Sequence, residues 1–185
     1  MAFAVVLDAC VLHPPSLRDF FIRIAQTDLV RARWSERILD ECFRSILRVR
    51  PKLNPEALQR TRDRMNGAVR DVLVAGYEGL ETAVTLPDPD DRHVVAAAIK
   101  SGAQAIVTFN LKDFPASALS PWNIEAKHPD EFVLDLLDLD ADVVADVVRT
   151  QVAALRSPPR SVDELLGTLR ANGLPRAVEA LRERL

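Results

Sequence analysis

Phe3-Ala4-Val5-Val6-Leu7 is apolar at every position, the pattern of a strand covered on both faces in a parallel sheet. A helical rhythm follows. Leu17, Phe20, Phe21, Ile24 and Ala25 fall on one side of a helix over residues 16–27. Residues 29–33 suit a short second strand. Over 36–49, Ile38, Cys42, Ile46 and Val49 return at helical spacing. Asn54-Pro55 is an N-cap followed by proline at the first helical position, and it predicts a helix to about residue 75. Residues 81–85 are expected as a third strand. Asp88-Pro89 repeats the cap-plus-proline signal ahead of the apolar stretch 94–99, and Gly102 ends that helix. Ala105-Ile106-Val107-Thr108-Phe109 reads as a fourth strand and residues 122–126 as a fifth.

Strands alternating with helices imply a parallel α/β/α sandwich. Beyond residue 128 the pattern turns wholly helical. Pro129-Asp130 opens one stretch through Phe132, Val133, Leu136 and Leu137. A second, over 140–155, carries Val143, Val144, Val147, Val148 and Val152 as an apolar stripe. Ser157-Pro158-Pro159 breaks it, and Ser161-Val162-Asp163-Glu164 is a capping-box pattern for a further helix. The expected organisation is an α/β unit over 1–128 and a helical C-terminal extension over 129–185. The stripe has two destinations: the chain's own layers, or a partner docked on the extension.

Composition changes little in this picture but excludes some classes. A chain of 185 residues with 48% hydrophobic content can bury one sizeable core. No apolar run spans a bilayer and no secretory leader is recognisable, so a cytoplasmic protein with no membrane contact is expected. Cys10 and Cys42 are the only cysteines, and no Cys/His cluster suggests zinc. Charge is more informative. Arginines crowd residues 18–70, among them Arg44, Arg48 and Arg50, whereas 125–146 is acidic with Lys127 its single Lys or Arg. An arginine-rich half suggests a polyanion such as RNA. Solvated helix faces explain it equally well.

The acids matter more. Asp8 closes the first strand, Asp88 and Asp91 open the helix near 94–99, and Asn110 and Asp113 follow the fourth strand. Glu41 lies in the early turns of a helix after the second strand. Ligands in open parallel sheets bind outside the carboxyl ends of the strands. Carboxylates gathered there suit a hard divalent cation, Mg2+ or Mn2+, and metal-assisted attack of water on a phosphodiester. Several of these residues also have a structural explanation available. Asp88 suits an N-cap, Asp113 a turn cap before Phe114-Pro115, and Ser35 a cap for the helix bearing Glu41. Thr108 and Asn110 either orient ligands or simply end the strand. For Asp8, buried among Leu7, Val11 and Leu12, a functional role is the simpler expectation.

Four stretches together resemble a PIN-domain ribonuclease of the VapC toxin type. They are Leu7-Asp8-Ala9-Cys10-Val11-Leu12; Ser35 with Glu41; Asp88-Pro89-Asp90-Asp91-Arg92-His93-Val94; and Thr108-Phe109-Asn110-Leu111-Lys112-Asp113-Phe114. The resemblance spans roughly residues 3–130. It implies a parallel five-stranded sheet, Mg2+- or Mn2+-dependent endoribonuclease activity, dimerisation, and a cognate antitoxin protein that blocks the site. Carried over, Asp8, Asp91 and Asp113 are metal ligands, and Glu41 is a further catalytic acid. Asp88, Thr108 and Asn110 support them, Asn110 standing where many relatives have Asp. Arg44, Arg48 and Arg50 are the expected RNA contacts. Other readings keep the fold with a housekeeping RNA-processing role, or as a non-catalytic RNA- or protein-binding module. A phosphatase of the haloacid-dehalogenase type would need a second Asp where Cys10 stands.

Overall fold

A computed structural model describes residues 3–185. Met1 and Ala2, the start of the expected 1–128 unit, lie outside the described residues. Strands β1 (Phe3–Leu7), β2 (Val30–Arg33), β3 (Ala105–Val107) and β4 (Glu125–Lys127) form one parallel sheet in the order β2-β1-β3-β4. Val5 pairs with Ala32 on one side and Ala105 on the other, and Ala105 pairs with Glu125. Val5 and Val6 point to opposite faces, yet both are fully buried, so both faces of β1 are covered, as its unbroken apolar run predicts.

Helices fill the connections. After α1 (Ala9–Leu12) come α2 (Pro15–Ala25), α3 (Glu36–Val49) and α4 (Pro55–Ala68). Next is α5 (Arg92–Ser101), packed on β1 and β3, then the short α6 (Ala116–Leu119). Gly102 closes α5 at φ 64°, in the left-handed region that a Cβ disfavours. The extension consists of α7 (Pro129–Ala154), α8 (Val162–Ala171) and α9 (Pro175–Arg182). Non-helical dihedrals at Asp140 kink α7 there, between the two helical stretches read in the sequence.

Three expectations need correction. The sheet has four strands among the described residues, not five. Residues 78–83 form a 3-10 turn in place of the expected third strand, with Glu81 drawn to Arg37 on α3, Nη1 to Oε2 3.1 Å. The helix from Pro55 stops at Ala68 rather than near 75, because residues 72–74 are taken up elsewhere. Trp34 N–H donates to the Val72 carbonyl and Val74 N–H to the Trp34 carbonyl, an isolated parallel bridge beside the end of β2.

The extension shares the core. α2 lies against β2 and is itself packed by α7 and α8. Phe21 and Phe132 stack with centroids 6.2 Å apart, and Gln151 Nε2 donates to the Ser16 carbonyl at 2.9 Å. Of the valine stripe, Val144, Val147 and Val148 are buried. Of its two destinations, the chain's own core is the one observed. No helix among the described residues is long and apolar enough to cross a membrane.

Candidate metal-dependent site

The parallel strands deliver their following residues to one end of the sheet. Asp8 N–H still donates to the Val107 carbonyl, so Asp8 leaves β1 beside the point where Thr108 leaves β3. Asp8 is 6% exposed and Thr108 fully buried. A buried carboxylate needs donors, and Asp8 has three. Ala9 N–H reaches Oδ1 at 2.7 Å, Thr108 Oγ1 donates to Oδ2 at 2.7 Å, and the Cys10 thiol approaches Oδ2 at 3.2 Å. Asp8 is therefore also the N-cap of α1, a structural role its sequence context did not suggest. Thr108 Oγ1 in turn accepts the Asn110 N–H at 3.0 Å, which ties Asp8 to the start of the next loop. Burial, then the neighbouring Asp8 charge, pushes the Cys10 thiol up to about 12. It stays protonated and works as a donor rather than a thiolate ligand.

Asp91 ends a 3-10 turn, Pro89–Asp91, at the head of α5. Asp88 caps that turn, its Oδ1 accepting from Asp90 N–H at 2.9 Å, as the Asp-Pro signal predicts. The Asp91 carboxyl is pushed up to about 6, first by burial and then by the charges of Asp8, Asp88, Asp113 and Glu41. Four acids from four stretches of chain thus converge electrostatically on Asp91. Asp113 is half-buried at the end of the 3-10 turn Leu111–Asp113, whereas Asn110 is exposed.

Glu41 is carried by α3. The buried Ser35 caps that helix, its Oγ accepting from Ile38 N–H at 3.2 Å. Glu41 Oε1 lies 2.8 Å from Nε2 of His93, a fully buried imidazole on the first turn of α5. The approach is close, but neither imidazole nitrogen makes an aligned hydrogen bond. His93 and Arg37 are the residues that sequence reasoning missed. Arg37 joins α3 to Glu81 and to the Asp90 carbonyl at 3.5 Å, beside Asp91. The only sequence signal for His93 is its place two residues after Asp91, directly before the apolar run 94–99. Arg44, Arg48 and Arg50 are exposed. Arg44 and Arg48 follow Glu41 by three and seven residues and so share its face of α3, while Arg50 stands at the helix end.

A hard divalent cation suits this set in charge and in donor type. The acids are oxygen donors, four of them raise the proton affinity of Asp91, and the nearby thiol does not ionise. Among the described residues, though, no three Asp, Glu, His or Cys side chains are set closely enough to grip an ion. Both Asp8 oxygens are already engaged within the protein.

Comparison with known proteins bears on the same residues. Over 79 residues the chain is 48% identical to a Mycobacterium tuberculosis (strain ATCC 25618 / H37Rv) protein named "Putative ribonuclease VapC50". That match covers 43% of this chain and 47% of the other, so the chain spans about half the length of the curated relative it matches. No solved structure matches. The family model for the VapC50 C-terminal domain matches residues 129–183. The PIN domain model matches residues 4–112, from β1 through Asp8, Glu41, Asp91 and Asn110. That is more than half of the 185 residues, and the chain belongs to the PIN-domain family.

Proposed function

We propose that this chain is a Mg2+- or Mn2+-dependent endoribonuclease, the toxin of a type II toxin–antitoxin pair, acting in the cytoplasm. Asp8, Asp91 and Asp113 are its cation ligands and Glu41 its further catalytic acid. The observation that carries this reading is the convergence of Asp8, Asp88, Asp113 and Glu41 on the half-buried Asp91, in a chain of this family. A bound divalent cation would neutralise charge on a phosphodiester and lower the pKa of a water. The protein's own part is orientation. Thr108 and the Ala9 N–H fix the Asp8 carboxylate. Asp88 shapes the turn that presents Asp91. His93 stands against Glu41, and Asn110 leads into the turn bearing Asp113. Arg44, Arg48 and Arg50 would hold the RNA backbone beside Glu41. Residues 1–128 form the nuclease unit, and 129–185 its helical extension. A cognate antitoxin and a second copy of the chain are the protein partners this reading supplies.

The test is cleavage of total cellular RNA with Mg2+, Mn2+ or EDTA, by the native chain and by Asp8→Asn. Cleavage that needs the cation and Asp8 is expected; cleavage that persists in EDTA would overturn the assignment. One observation favours a second reading, a PIN fold that binds RNA or protein without cutting it: among the described residues, no three acids are set to grip an ion. RNA binding without cleavage under any divalent cation would support that reading. Growth arrest on expression, relieved by Asp8→Asn, separates a toxin from a housekeeping nuclease.

A further inference from the structure

Gly173 lies in the turn between α8 and α9 with φ 98°. A Cβ at this position would stand 2.6 Å from Phe109 Cε1 and 3.1 Å from Cζ. The backbone of the C-terminal extension thus rests directly on the Phe109 ring. The ring also meets the His128 imidazole edge to face, centroids 5.1 Å apart, and Phe109 N–H donates to Cys10 Sγ at 3.4 Å. One residue is held from three sides of the chain: the segment after β1, the entry to α7, and the turn before α9. Its neighbours are site residues. Thr108 before it donates to Asp8, and Asn110 after it leads into the turn ending at Asp113.

The turn pressing on Phe109 is itself fixed. Asp130, on the first turn of α7, is 5% exposed. Its two oxygens accept from Arg176 N–H at 3.2 Å and Ala177 N–H at 2.8 Å. Leu174, next to Gly173, is fully buried, and its N–H donates to the Leu169 carbonyl at 3.1 Å. A buried carboxylate across two backbone donors is a firm, directional clamp.

We infer that Gly173 is a positioning residue: the C-terminal turn, clamped by Asp130, seats the Phe109 ring and thereby sets where Asn110 and Asp113 stand relative to Asp8. The inference deepens the proposed function, since it rests on Asp8 and Asp113 sharing a cation. It gives the extension a part in the site itself.

The test uses the full chain. Gly173→Ala brings left-handed strain and a methyl group against Phe109. Gly102→Ala brings left-handed strain alone, since nothing lies within 4 Å of its Cβ. In the double variant Gly173→Ala with Phe109→Leu, the ring atoms in the way are gone. Backbone amide shifts are read by NMR without metal, and Mn2+ affinity by electron paramagnetic resonance. Gly173→Ala is expected to move the amides of 110–113 and weaken Mn2+ binding roughly tenfold, the usual scale for a residue supporting metal ligands. Affinity should return in the double variant, and Gly102→Ala should change neither reading. Shifts confined to 170–178 with native Mn2+ affinity would overturn the proposal. If Gly173→Ala does not fold, Asp130→Asn loosens the same turn from a distance, and amides at 110–113 that stay in place while those of α9 move would overturn it equally. If the native chain binds no Mn2+ and cuts no RNA, the nuclease reading fails, while the metal-free shifts still decide the contact.

Discussion

At the scale of single residues, Asp91 carries the clearest consequence. Its carboxyl titrates at about 6 against an ordinary 3.8, through burial and the surrounding acids. The folded chain therefore holds this proton more tightly than the unfolded chain does. Below 3.8 both states are protonated and the group costs nothing. As pH rises toward 6 the unfolded chain ionises first, so metal-free stability falls across this window and levels off above it. Melting of the metal-free protein between pH 4 and 7 is expected to show that decline, flattened in Asp91→Asn. At neutral pH Asp91→Asn should melt higher than the native chain without metal, because repulsion is relieved. Mn2+ binding should strengthen through the same window as the cation displaces the proton; a pH-independent affinity would contradict the ligand role of Asp91. Thr108 has the opposite character. Its hydroxyl donates to a buried carboxylate, so Thr108→Val should cost roughly 1.5–3 kcal/mol, the range for a hydrogen bond to a charged group. Urea unfolding measures it, and an unchanged midpoint would mean that Asp8 finds another donor.

Among the elements, α3 joins the site to the basic surface. It presents Glu41 inward at His93, ties the segment before α5 through Arg37, and exposes Arg44 and Arg48 beyond Glu41. Its outer side is bound to α4, where Arg62 pairs with both Glu36 and Asp40, so the helix is braced on both sides. If the arginines hold RNA phosphates, charge reversal at Arg44, Arg48 and Arg50 should flatten the salt dependence of RNA binding, since each lost contact removes released counterions. Binding measured from low to moderate salt tests this. An unchanged slope would leave these arginines as solvated surface. Elements with local signals were legible in the sequence. The Asn54-Pro55 and Asp88-Pro89 starts, the Ser161 capping box and the apolar run of β1 each act through neighbours a few residues away. The misread stretches answer to distant partners. Residues 72–74 take their hydrogen bonds from Trp34, and Glu81 takes its charge partner from Arg37. The site divides in the same way. Asp8 and Asp113 were visible because they follow β1 and β3, and Asp91 because it follows the Asp88-Pro89 start, whereas His93 against Glu41 and Gly173 against Phe109 join residues far apart in sequence.

The α/β unit and the C-terminal extension share one main core, and this decides what the extension is for. α2 lies between the sheet and the extension, with Phe20, Phe21, Leu17 and Ile24 all buried. Phe132 stacks on Phe21, and Val144 and Val148 are fully buried. The extension begins where a separate family model begins, at residue 129, yet the packing crosses that boundary without a gap. An apolar surface of that kind left open to water promotes association. A chain ending at residue 128 is therefore expected to aggregate or to lose its cooperative melt, even though it keeps all the site acids. The point-mutation counterpart is Phe132→Ala. Truncating a large buried aromatic costs about 3–5 kcal/mol through lost transfer energy and the cavity left behind. Both are read by denaturant unfolding and size-exclusion chromatography. Two outcomes together, a monomeric, cooperatively melting 1–128 chain and a nearly neutral Phe132→Ala, would show that the extension is a detachable appendage.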